Sequence, residues 1–221
     1  MSKYILIDLE DTITIHNYNN RLESVMLKWL EFNQVTNPLK VYNNSDFKNR
    51  GTRLKLLGIN EKKYEKWYKN FNDVEFIEYC KNYENKKITI DDTAISFIEN
   101  CKIPLILVSN SSPKWIDFIL KEYNLTNKFK FIFHRDYSIN DVKKPNHRVI
   151  DIIEKNINDK ISKDSIVIGD SYSDYEFAQN CNLEFISMYN KINNNMMFDN
   201  FRELLEYIND VKLSENQKEI S

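Results

Sequence analysis

Glycine is nearly missing from this chain, with 3 in 221 residues. Glycine-rich linkers and repeats are excluded, and each glycine that remains is expected to have a backbone reason. Cysteine is as scarce. Cys80, Cys101 and Cys181 are widely spaced and odd in number, which excludes a disulfide framework and a cysteine metal motif. They read as buried thiols in a reducing compartment, so a cytoplasmic location is expected. No apolar run approaches the roughly 18 residues that span a bilayer. Met1-Ser2-Lys3-Tyr4 enters a strand-like run at once, without a signal peptide's apolar stretch. No membrane partner is expected. Neither sign of charge dominates: 31 Lys plus Arg against 33 Asp plus Glu give a net charge of −2, which argues against bulk nucleic-acid binding. What is present is 42% hydrophobic and 29% charged residues, the makeup of folded material. The length suits one domain with a sizeable insertion.

Short apolar runs alternate with helical patterns. Tyr4-Ile5-Leu6-Ile7, Leu105-Ile106-Leu107-Val108, Phe131-Ile132-Phe133, Ile166-Val167-Ile168 and the weaker Phe185-Ile186-Ser187-Met188 suit strands buried on both faces. Helical stripes lie between them: Trp115, Phe118 and Ile119 after Pro113; Val149, Ile150, Ile152 and Ile153 after Pro145; Tyr175, Phe177 and Ala178 after Asp174. The alternation predicts an α/β fold, a Rossmann-like open parallel sheet with right-handed crossovers. Residues 17–88 break it. Their stripes (Met26, Trp29, Leu30; Leu54, Leu56, Leu57; Tyr64, Trp67, Tyr68, Phe71; Phe76, Ile77, Cys80) are helical, with no strand-like run among them. They predict an inserted all-helical unit, with the aromatic stripes as the core of its bundle. The α/β core is then 1–16 plus 89–211, and 212–221 a polar C-terminal tail.

Polar residues gather where the strands end. The first strand runs into Asp8-Leu9-Glu10-Asp11-Thr12, the second into Ser109-Asn110-Ser111, the fourth into Gly169-Asp170-Ser171-Tyr172-Ser173-Asp174, and Lys143-Lys144-Pro145 precedes a helix. In open α/β sheets these ends converge on one crevice. Asp8, Glu10, Asp170 and Asp174 are too many carboxylates to sit there unrelieved, because each would raise the pKa of the others. A divalent cation relieves them, and hard oxygen ligands favour Mg²⁺, which takes one or two carboxylates together with a phosphate. Lys144 adds a point charge, and Ser109 with the amides near Asn110 adds donors for an anion. Taken one at a time, these pieces have bland readings as helix caps and turns. Together they describe a phosphoryl-transfer site, in which a carboxylate can act as nucleophile.

These residues carry a resemblance to the haloacid dehalogenase-like (HAD) hydrolase superfamily, over residues 3 to about 190. Asp8-Leu9-Glu10-Asp11-Thr12 resembles the family's D-x-D-x-T, Ser109-Asn110 its second motif, Lys144-Pro145 its third, and Gly169-Asp170 with Asp174 its G-D-x-x-x-D. The helical insertion is similar to the family's C1-type cap. The resemblance implies a Mg²⁺-dependent phosphomonoester hydrolase acting on a small phosphorylated metabolite, a nucleotide or sugar phosphate. Asp8 would be the nucleophile and Glu10 the general acid and base. Lys144 would orient Asp8, and Thr12, Ser109 and Asn110 would contact the substrate. The metal would be held by Asp8, the main-chain carbonyl of Glu10, Asp170 and Asp174. Glu10 departs from the family, which has Asp there; the extra methylene moves the carboxyl by about 1 Å, a shift that can cost about 10²-fold in rate.

Within the insertion, Arg50-Gly51-Thr52-Arg53 resembles the substrate loop of such caps, and an inter-helix turn with solvated charges is the plain alternative. Arg50 and Arg53 are the expected cap contacts to substrate. His16 is expected to be a solvated hinge residue, and His134 and His147 show no partner spacing. Other readings stay open: a mutase of the β-phosphoglucomutase kind, a nucleic-acid-end phosphatase that the cap's mild basic excess permits, a dehalogenase, and a weakly active or non-catalytic binding protein. The dehalogenase needs no metal pair such as Asp170 and Asp174. A decayed site would have little reason to keep Asp8, Lys144, Asp170 and Asp174 together.

Overall fold

A computed structural model describes residues 2–18, 21–44, 47, 50–137, 141–193 and 195–218, without the side chains of 21, 22, 50, 51 and 211–218. The chain begins with β1 (Ile5–Ile7) and β2 (Thr14–His16), then helices α1 (Arg21–Phe32), α2 (Pro38–Tyr42), α3 (Arg50–Leu57) and α4 (Glu61–Glu84). It continues through β3 (Ile88–Ile90), α5 (Asp92–Asn100), β4 (Leu105–Ser109), α6 (Pro113–Glu122) and β5 (Phe129–His134). The last elements are α7 (Arg148–Ile157), β6 (Ile166–Gly169), α8 (Tyr172–Cys181), β7 (Glu184–Met188), β8 (Met196–Phe198) and α9 (Phe201–Lys218).

Six strands form one parallel sheet in the order β5-β4-β1-β6-β7-β8. The continuous apolar runs are explained by strand alternation between two covered faces. Ile5, Ile7, Leu105, Leu107, Ile166 and Ile168 point into one core, whereas Leu6, Ile106, Val108 and Val167 point into the other. Helices α7 and α8 cover the second face with Val149, Ile153, Phe177 and Ala178. Helices α5, α6 and α9 cover the first, and that core runs on without a break into the inserted helices. Strand β1 lies between β4 and β6, so the chain moves outward to β5 and returns to the other side of β1. The order reverses there, which opens a crevice beyond the carboxyl ends of β1, β4 and β6.

The helical cap α1–α4 sits between β2 and β3, which pair with each other from Thr14↔Ile90 to His16↔Ile88 as a small antiparallel stalk outside the main sheet. The two stripes expected in residues 64–80 belong to one 24-residue helix, α4, started by the Asn60 side chain accepting from Lys63 N at 2.9 Å. They serve different partners. Tyr64, Trp67 and Phe71 pack edge-on around Trp29 of α1, inside the cap. Phe76, Tyr79 and Tyr83 pack against Trp115 and Phe118 of α6, in the α/β core, so the later stripe docks the cap and does not fill its bundle. Arg50 to Arg53 form the first turn of α3, not a turn preceding a helix. Helix α9 continues through Lys218, past the boundary expected at residue 211. The three cysteines are free but half-buried, not buried. Among the described residues no helix is long and apolar enough to cross a membrane.

Scarce glycine has a substitute. Asn37, Asn124, Asn158, Asn182 and Asn193 have φ of 53–56°, and Asn158 and Asn182 end α7 and α8 in the left-handed conformation. A short amide side chain tolerates this region better than most, and it takes the place of the usual C-terminal glycine.

Candidate active site

Asp8 follows β1, and its N–H donates to Ile168 O at 2.9 Å, which holds it at the mouth of the crevice beside β6. Asp170 follows β6, and Asp174 lies in the first turn of α8. Asp174 folds back toward its own helix start: Ser171 N and Oγ donate to its Oδ2 at 3.2 and 2.5 Å. Carboxylate oxygens of Asp8, Asp170 and Asp174 all lie within 4.8 Å of one another. Lys144, only 4% exposed, donates to Asp8 Oδ1 at 2.6 Å and also to Asp174. Burial pushes the Asp8 carboxyl well above the ordinary carboxylate range; Lys144 opposes this, and Asp174 and Asp170 add to it. Burial also works against charge on Lys144, but Asp174 and Asp8 outweigh it and hold the ammonium's pKa above its usual value. Three carboxylates against one ammonium leave two negative charges. Their donors are hard oxygens at close range, so the residues fit a divalent cation of the Mg²⁺ type.

This cluster forms one end of a cavity of about 970 Å³ between the strand ends and the cap. The cap supplies Trp29, Tyr68, Phe71 and Tyr79 to its wall, with Arg53, and the core supplies Arg135 and Lys143. The core loop after β5 reaches into the cap: the Tyr137 ring lies 5.9 Å from both Tyr68 and Phe71, and its hydroxyl donates to Glu75 of α4.

Residues 3–182 match the family model of the haloacid dehalogenase-like hydrolases. The chain belongs to that family. No curated protein matches the sequence significantly. Solved structures share the fold: a HAD-superfamily hydrolase from Ehrlichia chaffeensis (20% identity, 95% of this chain and 98% of that one, TM-score 0.56); a predicted phosphatase from Clostridium acetobutylicum (20%, 95% and 99%, 0.63); and a family IA, variant 3 HAD hydrolase from Entamoeba histolytica (18%, 91% and 94%, 0.62).

In this HAD-like hydrolase the Glu10 side chain stands apart from the three aspartates. Leu9 O accepts from Ile13 N and Thr14 N at 2.9 and 2.8 Å, and Asp11 adopts φ 56°, so the chain turns back sharply. Asp11 Oδ1 accepts from His16 N at 3.0 Å, which brings His16 over Glu10. The buried Glu10 carboxylate is then held by Trp115 Nε1 at 2.8 Å, by Thr14 Oγ1 at 3.4 Å and by His16 Nε2. The hinge reading of His16 needs correction: its side chain is 2% exposed, enclosed by the rings of Tyr18 and Tyr79. The reason is the left-handed turn at Asp11, which no hydrophobic pattern reports.

Two of the expected substrate contacts have partners within the protein. Thr12 is fully buried, and its hydroxyl donates to Asp170 Oδ1 at 3.4 Å, so it shapes the site from behind. Asn110 lines the cavity, but its amide spans the Lys144 backbone, donating to Lys144 O at 3.1 Å and accepting from Lys144 N at 3.0 Å. It therefore fixes the lysine loop. Ser109 lines the cavity, with its Oγ accepting from Ser111 N at 3.1 Å. Arg53 also lines it, anchored by Phe47 O at 2.7 Å and Tyr64 Oη at 2.8 Å. The Arg50 side chain lies outside the described residues. Trp115, Arg135, Lys143, Glu75 and Tyr137 were not singled out as site residues. Trp115 read as ordinary helix core, Lys143 stood out only as the neighbour of Lys144 and Pro145, and Arg135, Glu75 and Tyr137 had no motif around them.

Gly169 gives a direct test of the cluster. A Cβ added there would lie 2.5 Å from Asp174 Cγ, so a methyl group must displace the carboxylate. Gly169→Ala is expected to weaken divalent-metal binding by at least about tenfold, within the range seen when a ligand's support is removed. Isothermal titration with Mg²⁺ or Mn²⁺ measures it; unchanged affinity would show that Asp174's placement is immaterial to the site.

Proposed function

We propose that this hydrolase cleaves phosphate monoesters of small metabolites through an aspartyl-phosphate formed on Asp8. The observation that carries the reading is the Asp8–Lys144–Asp174 arrangement, with Asp170 alongside, at one end of a cap-covered cavity. About 970 Å³ falls at the upper end of the roughly 300–1,000 Å³ typical of small-molecule sites. Asp8, Asp170 and Asp174, with the main-chain carbonyl of Glu10, would hold Mg²⁺, which supplies positive charge against the transferring phosphoryl group. Asp8 attacks phosphorus opposite the leaving oxygen, and the P–O bond to the alcohol breaks. Glu10 gives its proton to that oxygen. It then takes a proton from water, which attacks the phosphorus and releases Asp8 and inorganic phosphate. Lys144 holds Asp8 in line and offsets the negative charge on it. Trp115 and His16 fix the Glu10 carboxylate in place.

Hydrolysis of p-nitrophenyl phosphate and a panel of phosphorylated metabolites tests this. Release of inorganic phosphate is expected with Mg²⁺, a fall to background after exhaustive chelation, and recovery when Mg²⁺ is restored. Activity that survives chelation, or no cleavage of any ester at any metal concentration, would refute the reading.

A further inference from the structure

The proposed chemistry leaves a second group of charges on the cavity wall without a task. Arg53 of α3, Arg135 after β5 and Lys143 all line the cavity. Arg135 is 8% exposed. Its Nε donates to Asp141 Oδ2 at 2.7 Å, and its guanidinium carbon lies 4.3 Å from the Tyr137 ring centroid and 5.3 Å from that of Tyr68. Its Nη2 is buried with no hydrogen-bond partner among the described residues. A buried, charged donor without an acceptor is destabilising, and folded chains seldom keep one without a reason.

The carboxylates nearby are already engaged. Asp141 accepts from Arg135 Nε and from Asp136 N at 3.0 Å, and Glu75 accepts from Tyr137 Oη. Among the described residues, Asp141 is the carboxylate that Arg135 pairs with, and the buried Nη2 of the same guanidinium stays unmatched. The Lys143 ammonium lies close to this guanidinium and is affected by it. Burial lowers its pKa, Arg135 and Arg53 lower it further, and Asp141 and Glu75 only partly compensate. Arg135 and Lys143 line the same cavity as the Asp8 cluster, beside the aromatic side chains of Tyr68 and Phe71.

We propose that Arg135 and Lys143, with Arg53 of the cap, form a second anion subsite, and that the substrate is a phosphate monoester carrying a further oxyanion group remote from the scissile phosphate. That group is a carboxylate or a second phosphate; both present oxygens that suit a guanidinium. The inference rests on the phosphatase reading of the Asp8 cluster. It also gives the core loop at Arg135–Tyr137 a purpose. The loop carries one anion-binding side chain into the cavity and, through Tyr137 and Glu75, ties that side chain's position to the cap.

The test compares kcat/KM for ω-carboxyalkyl phosphates of graded length, the matching α,ω-bisphosphates, and n-alkyl phosphates of equal length. At the best length one doubly charged series should exceed its n-alkyl control by about 10–100-fold, the range for hydrogen bonds to charged groups. The better series names the second group. Arg135→Gln and Lys143→Gln should each bring the ratio close to one. A ratio near one at every length in the unaltered protein overturns the subsite, as does a loss in both variants that falls equally on charged ester and control. Failure to hydrolyse any ester would instead defeat the phosphatase reading. Titration calorimetry of the Asp8→Asn protein with the same esters then decides the subsite separately. Tighter binding of the doubly charged ester, lost on adding Arg135→Gln, supports it; equal or undetectable affinities overturn it.

Discussion

Asp8→Asn should abolish phosphate-ester hydrolysis and leave the fold intact. The amide keeps the side chain's shape and can still accept from Lys144 Nζ, but it cannot attack phosphorus. Loss of a covalent nucleophile costs on the order of 10⁴-fold or more in kcat. Stability should move in the opposite sense. Burial is the largest cause of the raised Asp8 pKa, with Asp174 and Asp170 adding to it, so ionised Asp8 is under strain in the metal-free chain. A neutral amide removes that charge, and the metal-free variant should melt no lower than the unaltered protein at neutral pH. Steady-state kinetics with p-nitrophenyl phosphate and thermal melts after chelation measure the two effects. Near-normal turnover would dismiss Asp8 as nucleophile, and a collapsed melting transition would show that the loss of rate was structural.

Glu10 carries the second large expectation. Glu10→Gln should lose about 10²–10⁴-fold in kcat, because an amide has no proton to exchange. Its carbonyl can still accept from Trp115 Nε1, so the side chain should keep its place and the loss should fall on kcat more than on KM. Glu10→Asp separates reach from chemistry. The Glu10 carboxylate is held by Trp115, Thr14 and His16. Shortening it by a methylene breaks these contacts and moves the proton by about 1 Å or more, with an expected loss on the order of 10²-fold. An Asp variant that equals or exceeds the native rate would mean that the surroundings are not built for the longer side chain. An unchanged rate in the Gln variant would remove Glu10 from proton transfer altogether.

The α/β fold was legible because a strand covered on both faces leaves a continuous apolar run. Ile5 to Ile7 and Leu105 to Val108 are such runs, and the alternation of each between two cores produces them. The small stalk was not legible. Thr14–His16 and Ile88–Ile90 are too short to show a period, and they become strands only by pairing across the inserted helices. The two halves of α4 could not be told apart either, since a ring facing Trp29 in the cap and one facing Trp115 in the core leave the same helical stripe.

At the site the division follows from distance along the chain. Asp8, Asp170, Asp174 and Lys144 could be selected from sequence because each follows a strand or loop that an open sheet directs to one crevice. Their separations, the Lys144 bridge and the demand of Asp174 that residue 169 lack a side chain are properties of folded space. Arg135 had no local signal at all, because what distinguishes it is a buried nitrogen without a partner among the described residues. His16 and Trp115 meet Glu10 from very different distances along the chain, one 6 residues and the other 105 residues downstream. Local sequence records which residues can be covered and where a strand must end. Which charges stay unpaired after covering depends on side chains brought together from remote segments, and that is settled only by tertiary packing.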